Sequence, residues 1–205
     1  MIPDHHVARR MFFLVFAFAI ALGLSAQANI YEWILTDPLY PPAGKSVNYN
    51  ALTPGGAGVD AIPDANLSSL NLTEGYFLSK NLTNANLSSA TLVWADFTSA
   101  NLSNSNFSSA TLTGAILVKT QINSANFSST TSKGLTSAQF YSTASYINGD
   151  LTGVVLSTNN LTGWNFKDKN LTSSNFSNCT LKNANLTNAN FTSATFIGAD
   201  TSVRF

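Results

Sequence analysis

The chain has 205 residues, of which 44% are hydrophobic and only 10% are charged, whereas about 25% of the residues of a typical soluble domain are charged. Ten basic and ten acidic residues give a formal net charge of zero, which disfavours a nucleic-acid-binding protein and its basic face. The single cysteine, Cys179, excludes an intramolecular disulfide framework and a thiolate zinc site.

Residues 1–28 have the three parts of a secretory signal peptide. Arg9 and Arg10 precede an uninterrupted apolar run, Met11–Leu24, and small residues follow it. A helix of 14 residues spans about 21 Å, which is shorter than the roughly 30 Å hydrocarbon core of a bilayer. A cleaved signal is therefore favoured over an uncleaved anchor.

The sequence Ala26-Gln27-Ala28 predicts cleavage between Ala28 and Asn29. We expect a protein that is secreted, periplasmic or attached to the cell surface, with no membrane segment after cleavage. Eight basic and nine acidic residues remain in that mature chain, and it has no histidine, because His5 and His6 are removed.

Residues 29–61 are the next segment, and they lack a regular pattern. Tyr31 and Trp33 are followed by several prolines and by Gly55-Gly56, a composition typical of turns. Because a repeat rod needs a cover at its end, we interpret this segment as an N-terminal cap and linker.

A repeat of five residues governs most of the remaining chain, in residues 62–130 and again in 151–205. Asn precedes the apolar residue in 13 of 23 repeats, and Ser or Thr follows it in 16 of 23. A small residue such as Ala85 or Ala90 often lies two positions earlier. The predicted core comprises the apolar residues: Leu67, Leu72, Phe77, Leu82, Leu87, Leu92, Phe97, Leu102, Phe107, Leu112, Leu117, Ile122, Phe127, Leu151, Leu156, Leu161, Phe166, Leu171, Phe176, Leu181, Leu186, Phe191 and Phe196.

A period of five forms no stripe on an α-helix and alternates between the two faces of a flat strand. The pattern becomes regular if the chain turns by about 90° after each repeat, because every large residue then points to one axis. Four repeats close a coil, and coils stack at the ~4.8 Å spacing of β-strands. The sequence therefore predicts an all-β solenoid with ladders 20 residues apart, such as Phe77 on Phe97.

The run Ala-Asn-Leu-Thr-Asn-Ala-Asn-Phe-Thr-Ser at 184–193 resembles the A(D/N)Lxx motif of the pentapeptide repeat family. The resemblance covers about residues 62–130 and 146–200, and it implies a right-handed quadrilateral β-helix. The segments 162–166 and 135–146 also resemble parts of exported bacterial members of this family. The repeat is specific for the fold but not for the function.

Residues 131–150 break the repeat, since Phe127 and Leu151 are 24 residues apart where five repeats require 25. Thr136 and Gln139 have the spacing of a capping box. We therefore predict a helix from about Ser137 to Ser145, with Phe140 and Ala144 on one face, that interrupts the rod.

No catalytic, cofactor-binding or metal-binding residue is predicted, and no cofactor is expected. Cys179 occupies the small inward position, which favours a buried packing thiol over a nucleophile. Trp94 and Trp164 are candidate ligand anchors, although packing of Trp164 against the insertion is favoured. The carboxylates show no pairing for acid–base chemistry.

Three functions remain open. The favoured one is an exported, non-enzymatic scaffold for structural use or for interaction with a protein that the sequence does not identify. An alternative is that outward Asn, Ser and Thr ladders bind carbohydrate, a cell-surface polymer or ice. A β-helix enzyme is a remote third hypothesis.

The regular pattern continues to Phe196 and the chain ends at Phe205. We expect the last coil to expose Phe191, Phe196 and an unpaired strand edge. Either a missing segment covers this end or two copies meet there, and we predict a two-fold homodimer through the C-terminal coil, because an isologous contact closes.

Overall fold

The computed structural model describes residues 31–35, 45–52 and 60–200. The predicted signal peptide and its cleavage site between Ala28 and Asn29 lie outside the described residues. Strands β1 (Tyr31–Leu35) and β2 (Lys45–Leu52) pair antiparallel within the predicted cap and linker, and Trp33 is the register partner of Val47. A register irregularity separates Tyr31 from Trp33.

From residue 66 onward the chain winds as a stack of coils, each of four five-residue segments. Single-residue parallel bridges connect positions 20 apart, as in the series Asn66, Asn86, Asn106 and Asn126. The contacts between coils are therefore isolated bridges and not long strands. The 20-residue spacing that the sequence predicts for the ladders is present.

A segment with Asn before its core residue pairs all five of its backbone N–H groups, as residues 100–104 illustrate. Four N–H groups donate to carbonyl oxygens: Ala100 to Phe97 within the turn, Asn101 to the preceding coil, and Leu102 and Asn104 to the following coil. The fifth, that of Ser103, donates to the side-chain Oδ1 of Asn101 at 3.0 Å. The repeated Asn is therefore the acceptor for the only N–H group that the coils leave unpaired.

The second residue after each apolar position has a positive φ, which turns the chain at the corner. Ser89 and Asn104 have φ values of 56° and 59°, in the left-handed region. Asn and Asp tolerate this region better than most residues, and Gly does so freely. This requirement explains why Asn, Ser, Asp and Gly recur at the corner.

The apolar residues fill the axis of the rod, and every predicted core residue from Leu67 to Leu186 is buried. Stacked rings form ladders, with centroids 4.6 Å apart for Phe77 and Phe97 and 5.1 Å apart for Phe176 and Phe196. These distances match the spacing of the coils, so each ring packs on the ring in the next coil.

Phe191, which has a core position in the repeat, is 41% exposed and Phe196 is only partly buried, which agrees with the expectation that the last coil exposes both. Among the described residues, the last bridge joins Thr180 to Asp200, and no later coil covers Phe191. Residues 201–205 lie outside the described residues. The homodimer at this end stays a prediction.

The insertion does not interrupt the rod, contrary to expectation. Asn126 bridges directly to Val155, and Phe127 donates its N–H to the Val155 carbonyl at 2.8 Å. The ladder spacing changes from 20 to 29 residues across this one coil. Leu135 and Phe140 are both buried and supply the apolar side chains on two of its sides.

Two short helices and one turn of 3₁₀-helix (Thr131–Lys133) replace the single helix predicted for 137–145. Helix α1 comprises Ser137–Tyr141 and α2 comprises Ala144–Ile147. The predicted capping box of Thr136 and Gln139 is confirmed. The helix ends early because Thr143 is extended and caps α2, its hydroxyl accepting from the Tyr146 N–H and donating to the Phe140 carbonyl.

The buried axis predicts a large difference between inward and outward substitutions. Leu92 is fully buried, between the coils of Leu72 and Leu112, so Leu92→Asp places an unpaired carboxylate among apolar side chains. We expect a loss of several kcal/mol of unfolding free energy, on the order of 3 or more. Ser99→Asp is the control, because Ser99 is exposed at a corner with φ of 59°, where Asp is tolerated. Equal melting temperatures for the two variants would refute the inward assignment.

Candidate binding surfaces

Two tyrosines of the insertion replace the missing backbone partners of Asn165. In a regular coil, such as that of Asn185, the N–H donates to a carbonyl of the preceding coil. At Asn165 the preceding coil is helical, so the N–H donates to the Tyr141 hydroxyl and the carbonyl accepts from the Tyr146 hydroxyl. The two phenol rings stack with centroids 4.4 Å apart. Side-chain hydroxyls thus complete the ladder where the helices remove it.

The electrostatics of this pair favour neutral phenols. Burial, and next the proximity of Tyr141, raise the pKa of Tyr146 to about 12. Burial also raises the pKa of Tyr141, against the opposing effect of the hydrogen bond from the Asn165 backbone. The Lys169 ammonium lies 4.3 Å from the centre of the Tyr146 ring, within cation–π range. Both phenols therefore stay protonated near neutral pH, where they hydrogen-bond to the backbone of Asn165.

Trp164 packs against the insertion, as the favoured interpretation predicted. Its side chain is only 6% exposed, and its ring centroid lies 5.3 Å from that of Phe140 and 6.1 Å from that of Phe166. Tyr141 adds an edge contact at 6.0 Å. An aromatic cluster therefore joins the helices to the second repeat tract.

Asn159 joins the same regions through its side-chain amide. The oxygen accepts from the N–H groups of Thr130 and Thr131, each at 2.9 Å, and the nitrogen donates to the carbonyls of Phe127 and Leu156, each at 2.8 Å. Beside this amide the 3₁₀ turn leaves an open groove of about 550 Å³ between the insertion and the coils that follow it. We call it the insertion groove.

A second candidate surface lies on the outside of the first repeat tract. Trp94 is 52% exposed at a corner where φ is 59°, and its ring lies directly over Gly114 of the next coil. On the adjoining side, Leu78 and Val118 are exposed and Ile116 is half-buried. We call these four residues with Gly114 the apolar patch.

Sequence reasoning identified Trp94 but missed the rest of the apolar patch. The apolar patch could have been recognised in the sequence from apolar residues at the outward positions on either side of the core residue. Leu78 and Val118 stand where Ser or Thr usually follows the core residue, and Ile116 stands where Asn usually precedes it. The bridge series Tyr76, Asp96 and Ile116 brings these positions to one side of the rod.

Cys179 is buried, and its thiol donates to the Leu156 carbonyl at 2.9 Å. Burial raises the pKa of the thiol, which disfavours the nucleophilic thiolate.

Within residues 60–200 and the two strands, no group of three or more His, Cys, Asp or Glu side chains is arranged to hold a metal ion. The described part of the chain contains no helix with the length and apolar character needed to cross a membrane.

The family described as pentapeptide repeats matches residues 65–128, in two overlapping segments, and residues 170–200, with eight repeat copies. These two tracts of the chain are therefore pentapeptide repeats. Proteins of this family fold as right-handed quadrilateral β-helices. The matched segments contain the regular 20-residue coils and leave the insertion unmatched.

Solved structures similar to the chain include a pentapeptide repeat protein from the thylakoid lumen of Arabidopsis thaliana, with 16% identity and a TM-score of 0.26. The similarity covers 66% of this chain and 63% of the plant protein, less than two thirds of its length. A pentapeptide repeat protein (Rfr23) of the cyanobacterium Cyanothece 51142 has 19% identity over 70% of this chain and 89% of its own, with a TM-score of 0.26.

A third similar structure is that of QnrB1, a plasmid-mediated fluoroquinolone resistance protein, with 18% identity and a TM-score of 0.31. The similarity covers 67% of this chain and 70% of QnrB1. Comparison with curated protein sequences finds no match.

The raised pKa of Tyr146 predicts how stability depends on pH. Folding favours the protonated phenol, so its contribution is complete below the ordinary pKa of 10.0 and is lost as the pH rises through about 12. We expect the melting temperature of the wild-type protein to fall between about pH 10 and pH 12. Tyr146→Phe should lower stability at pH 7, by about 1 kcal/mol for the lost hydrogen bond, and should make this fall shallower. The same pH profile in wild type and variant would contradict the assignment.

Proposed function

We propose that the protein is an exported, non-enzymatic β-helical scaffold that binds a protein partner through the apolar patch. The observation that carries the proposal is the exposure of Leu78, Trp94 and Val118 together on a rod whose other outward positions are mainly Asn, Ser and Thr. Pentapeptide repeat proteins are generally structural or interaction scaffolds. We include in this proposal the right-handed winding typical of the family.

The rod supplies a rigid support for such a surface. Backbone hydrogen bonds join each coil to its neighbours, such as those of Phe97 to Ile116 and of Asp96 to Gly75. Neighbouring coils are only ~4.8 Å apart, so Leu78 and Val118, which are 40 residues apart, lie on the same side of the rod with Thr98 of the intervening coil between them. A partner therefore meets Leu78 and Val118 without an ordering cost in the scaffold.

The chemistry of the apolar patch fits a protein partner. Exposed apolar groups surrounded by polar residues mark interaction sites, and tryptophan is enriched among the residues that dominate binding energy. The indole of Trp94 is supported from beneath by Gly114, where an added Cβ would clash with the ring. The glycine thus allows the ring to lie flat along the rod.

Binding of carbohydrate, polymer or ice by the polar ladders is the second candidate, and the hydrogen bonds disfavour it. The Oδ1 atoms of Asn81, Asn101 and Asn190 each accept from the N–H two residues later. In two of these cases a Thr hydroxyl donates to the same oxygen. Much of the acceptor capacity of the ladders is therefore used inside the rod, and less of it is available to a ligand.

A photo-crosslinking amino acid at Val118 tests the interaction surface in the native host. We expect a discrete crosslinked protein, and we expect Leu78→Ser combined with Ile116→Asn, which restores residues typical of the repeat, to abolish it. The matched control carries the crosslinker at Ser108, at the same position of a repeat in the same coil. Equal yields at Val118 and Ser108, or a yield that the double substitution leaves unchanged, would refute the proposal.

Export has its own test. The apolar run Met11–Leu24 and the small residues before Asn29 support cleavage and secretion. We expect N-terminal sequencing of the protein from its native host to begin at Asn29, in the periplasmic, surface or secreted fraction. Intact Met1 in the cytosol would contradict export and would leave the crosslinking result unaffected.

A further inference from the structure

The insertion groove forms because the backbone of the 3₁₀ turn at Thr131–Lys133 departs from the path that a regular coil follows. In the following coil, Thr180 donates its N–H to the Asn159 carbonyl, a normal contact between coils at 3.0 Å. One coil earlier, the Asn160 N–H donates instead to the side-chain hydroxyl of Thr131, also at 3.0 Å. The backbones separate at this point, and the space between them is the groove of about 550 Å³. This volume is within the roughly 300–1,000 Å³ of small-molecule sites.

The lining of the insertion groove is uncharged and rich in free hydrogen-bonding groups. Its residues are Thr, Ser, Asn, one Leu and one Trp, without an acidic or basic side chain. Among the residues that the structure describes, the hydroxyls of Ser132, Ser137, Thr158 and Thr180 have no hydrogen-bond partner, and neither has the amide of Asn178. Hydroxyls and amides both donate and accept, so this lining can pair with hydroxyl groups in either role.

Trp164 also contributes to the lining of the insertion groove. Its indole N–H makes no hydrogen bond within the described residues. No buried side-chain nitrogen or oxygen in the described part of the chain lacks a partner, so this N–H must be accessible to solvent. The ring is fixed by Phe140 and Phe166. Trp164 therefore combines a packing role with a fixed position in the lining of the groove, and its indole N–H is accessible to solvent.

We propose that the insertion groove binds a neutral saccharide, as a segment of a glycan chain. A neutral polyhydroxyl ligand matches a lining that has hydroxyls, amides and an indole ring but no charged side chain. A phosphate or carboxylate ligand would lack a cationic partner, and a purely apolar ligand would leave these polar groups desolvated. The groove is open to solvent, which allows a chain to enter from the side.

The test uses protein produced in its native host and three neutral hexasaccharides as probes: β-1,4-linked glucose, α-1,4-linked glucose and β-1,4-linked N-acetylglucosamine. Two-dimensional ¹⁵N NMR follows the indole N–H signal of Trp164, assigned by its loss in Trp164→Phe. We expect at least one probe to shift this signal at concentrations up to about 10 mM. The signal of the exposed Trp94 should not move.

A pair of matched variants locates the binding. Thr180→Val removes one free hydroxyl of the groove, and we expect it to weaken binding roughly three- to tenfold. Thr111→Val is the control, since Thr111 has the same position in its repeat in the first tract, and we expect unchanged affinity. If no probe shifts the Trp164 signal, saccharide binding in the groove is refuted. It is also refuted if a probe binds with the same affinity to both variants, because the saccharide would then bind to the ladders. Neither result bears on crosslinking at Val118, because the groove does not depend on the protein partner.

Discussion

The rod depends on complete pairing of its backbone N–H groups, to which the hydrogen bond from an N–H to the Asn side chain two residues earlier contributes in most segments. Four N–H groups of each segment find carbonyls in the turn or in neighbouring coils, and the fifth points outward. At Ser103 and Ser108 the acceptor is Oδ1 of Asn101 and Asn106, and at Thr98 it is the carboxylate of Asp96. The acceptor is a side-chain amide or carboxylate oxygen in every such hydrogen bond, which explains why Asn, and sometimes Asp, precedes the core residue.

The same requirement explains how the chain accommodates nine additional residues without ending the rod. Where α1 and α2 remove the backbone ladder, side chains take over its hydrogen bonds: Tyr141 and Tyr146 at Asn165, and Gln139 at the carbonyls of Leu112 and Ala115. Phe140 continues the apolar axis through the same coil. The insertion is therefore a modified coil, because both the core and the backbone pairing continue through it.

Much of the fold could be predicted from the sequence, since a period of five is compatible with few structures. The burial of residues such as Leu92 follows from that period alone. The exposure of Phe191 was predicted from its place at the end of the regular pattern and not from its repeat, because burial there depends on whether another coil follows. The roles of Tyr141 and Tyr146 depend on the 29-residue register at Val155, which no local pattern contains. The apolar patch was detectable in principle, as exceptions at outward positions.

The two candidate surfaces differ in the way they arise. The apolar patch results from substitutions such as Val118 on an unchanged coil, whereas the insertion groove results from a change in the path of the chain at Thr131. Both are held by the rigid stack, so a partner or ligand would meet a preformed surface. A scaffold of this kind gains specificity from exceptions to its repeat, while the repeat itself supplies stability.

The coils continue through the insertion without a break, and residue-resolved hydrogen exchange can detect this continuity. The N–H of Phe127 donates to Val155 across the insertion, and that of Asn165 donates to the Tyr141 hydroxyl. We expect these two amides to be protected as strongly as those of Leu92 and Phe97 inside the regular tract. Rapid exchange at Phe127 and Asn165, with slow exchange at Leu92 and Phe97, would mean that the insertion divides the rod into two separate pieces.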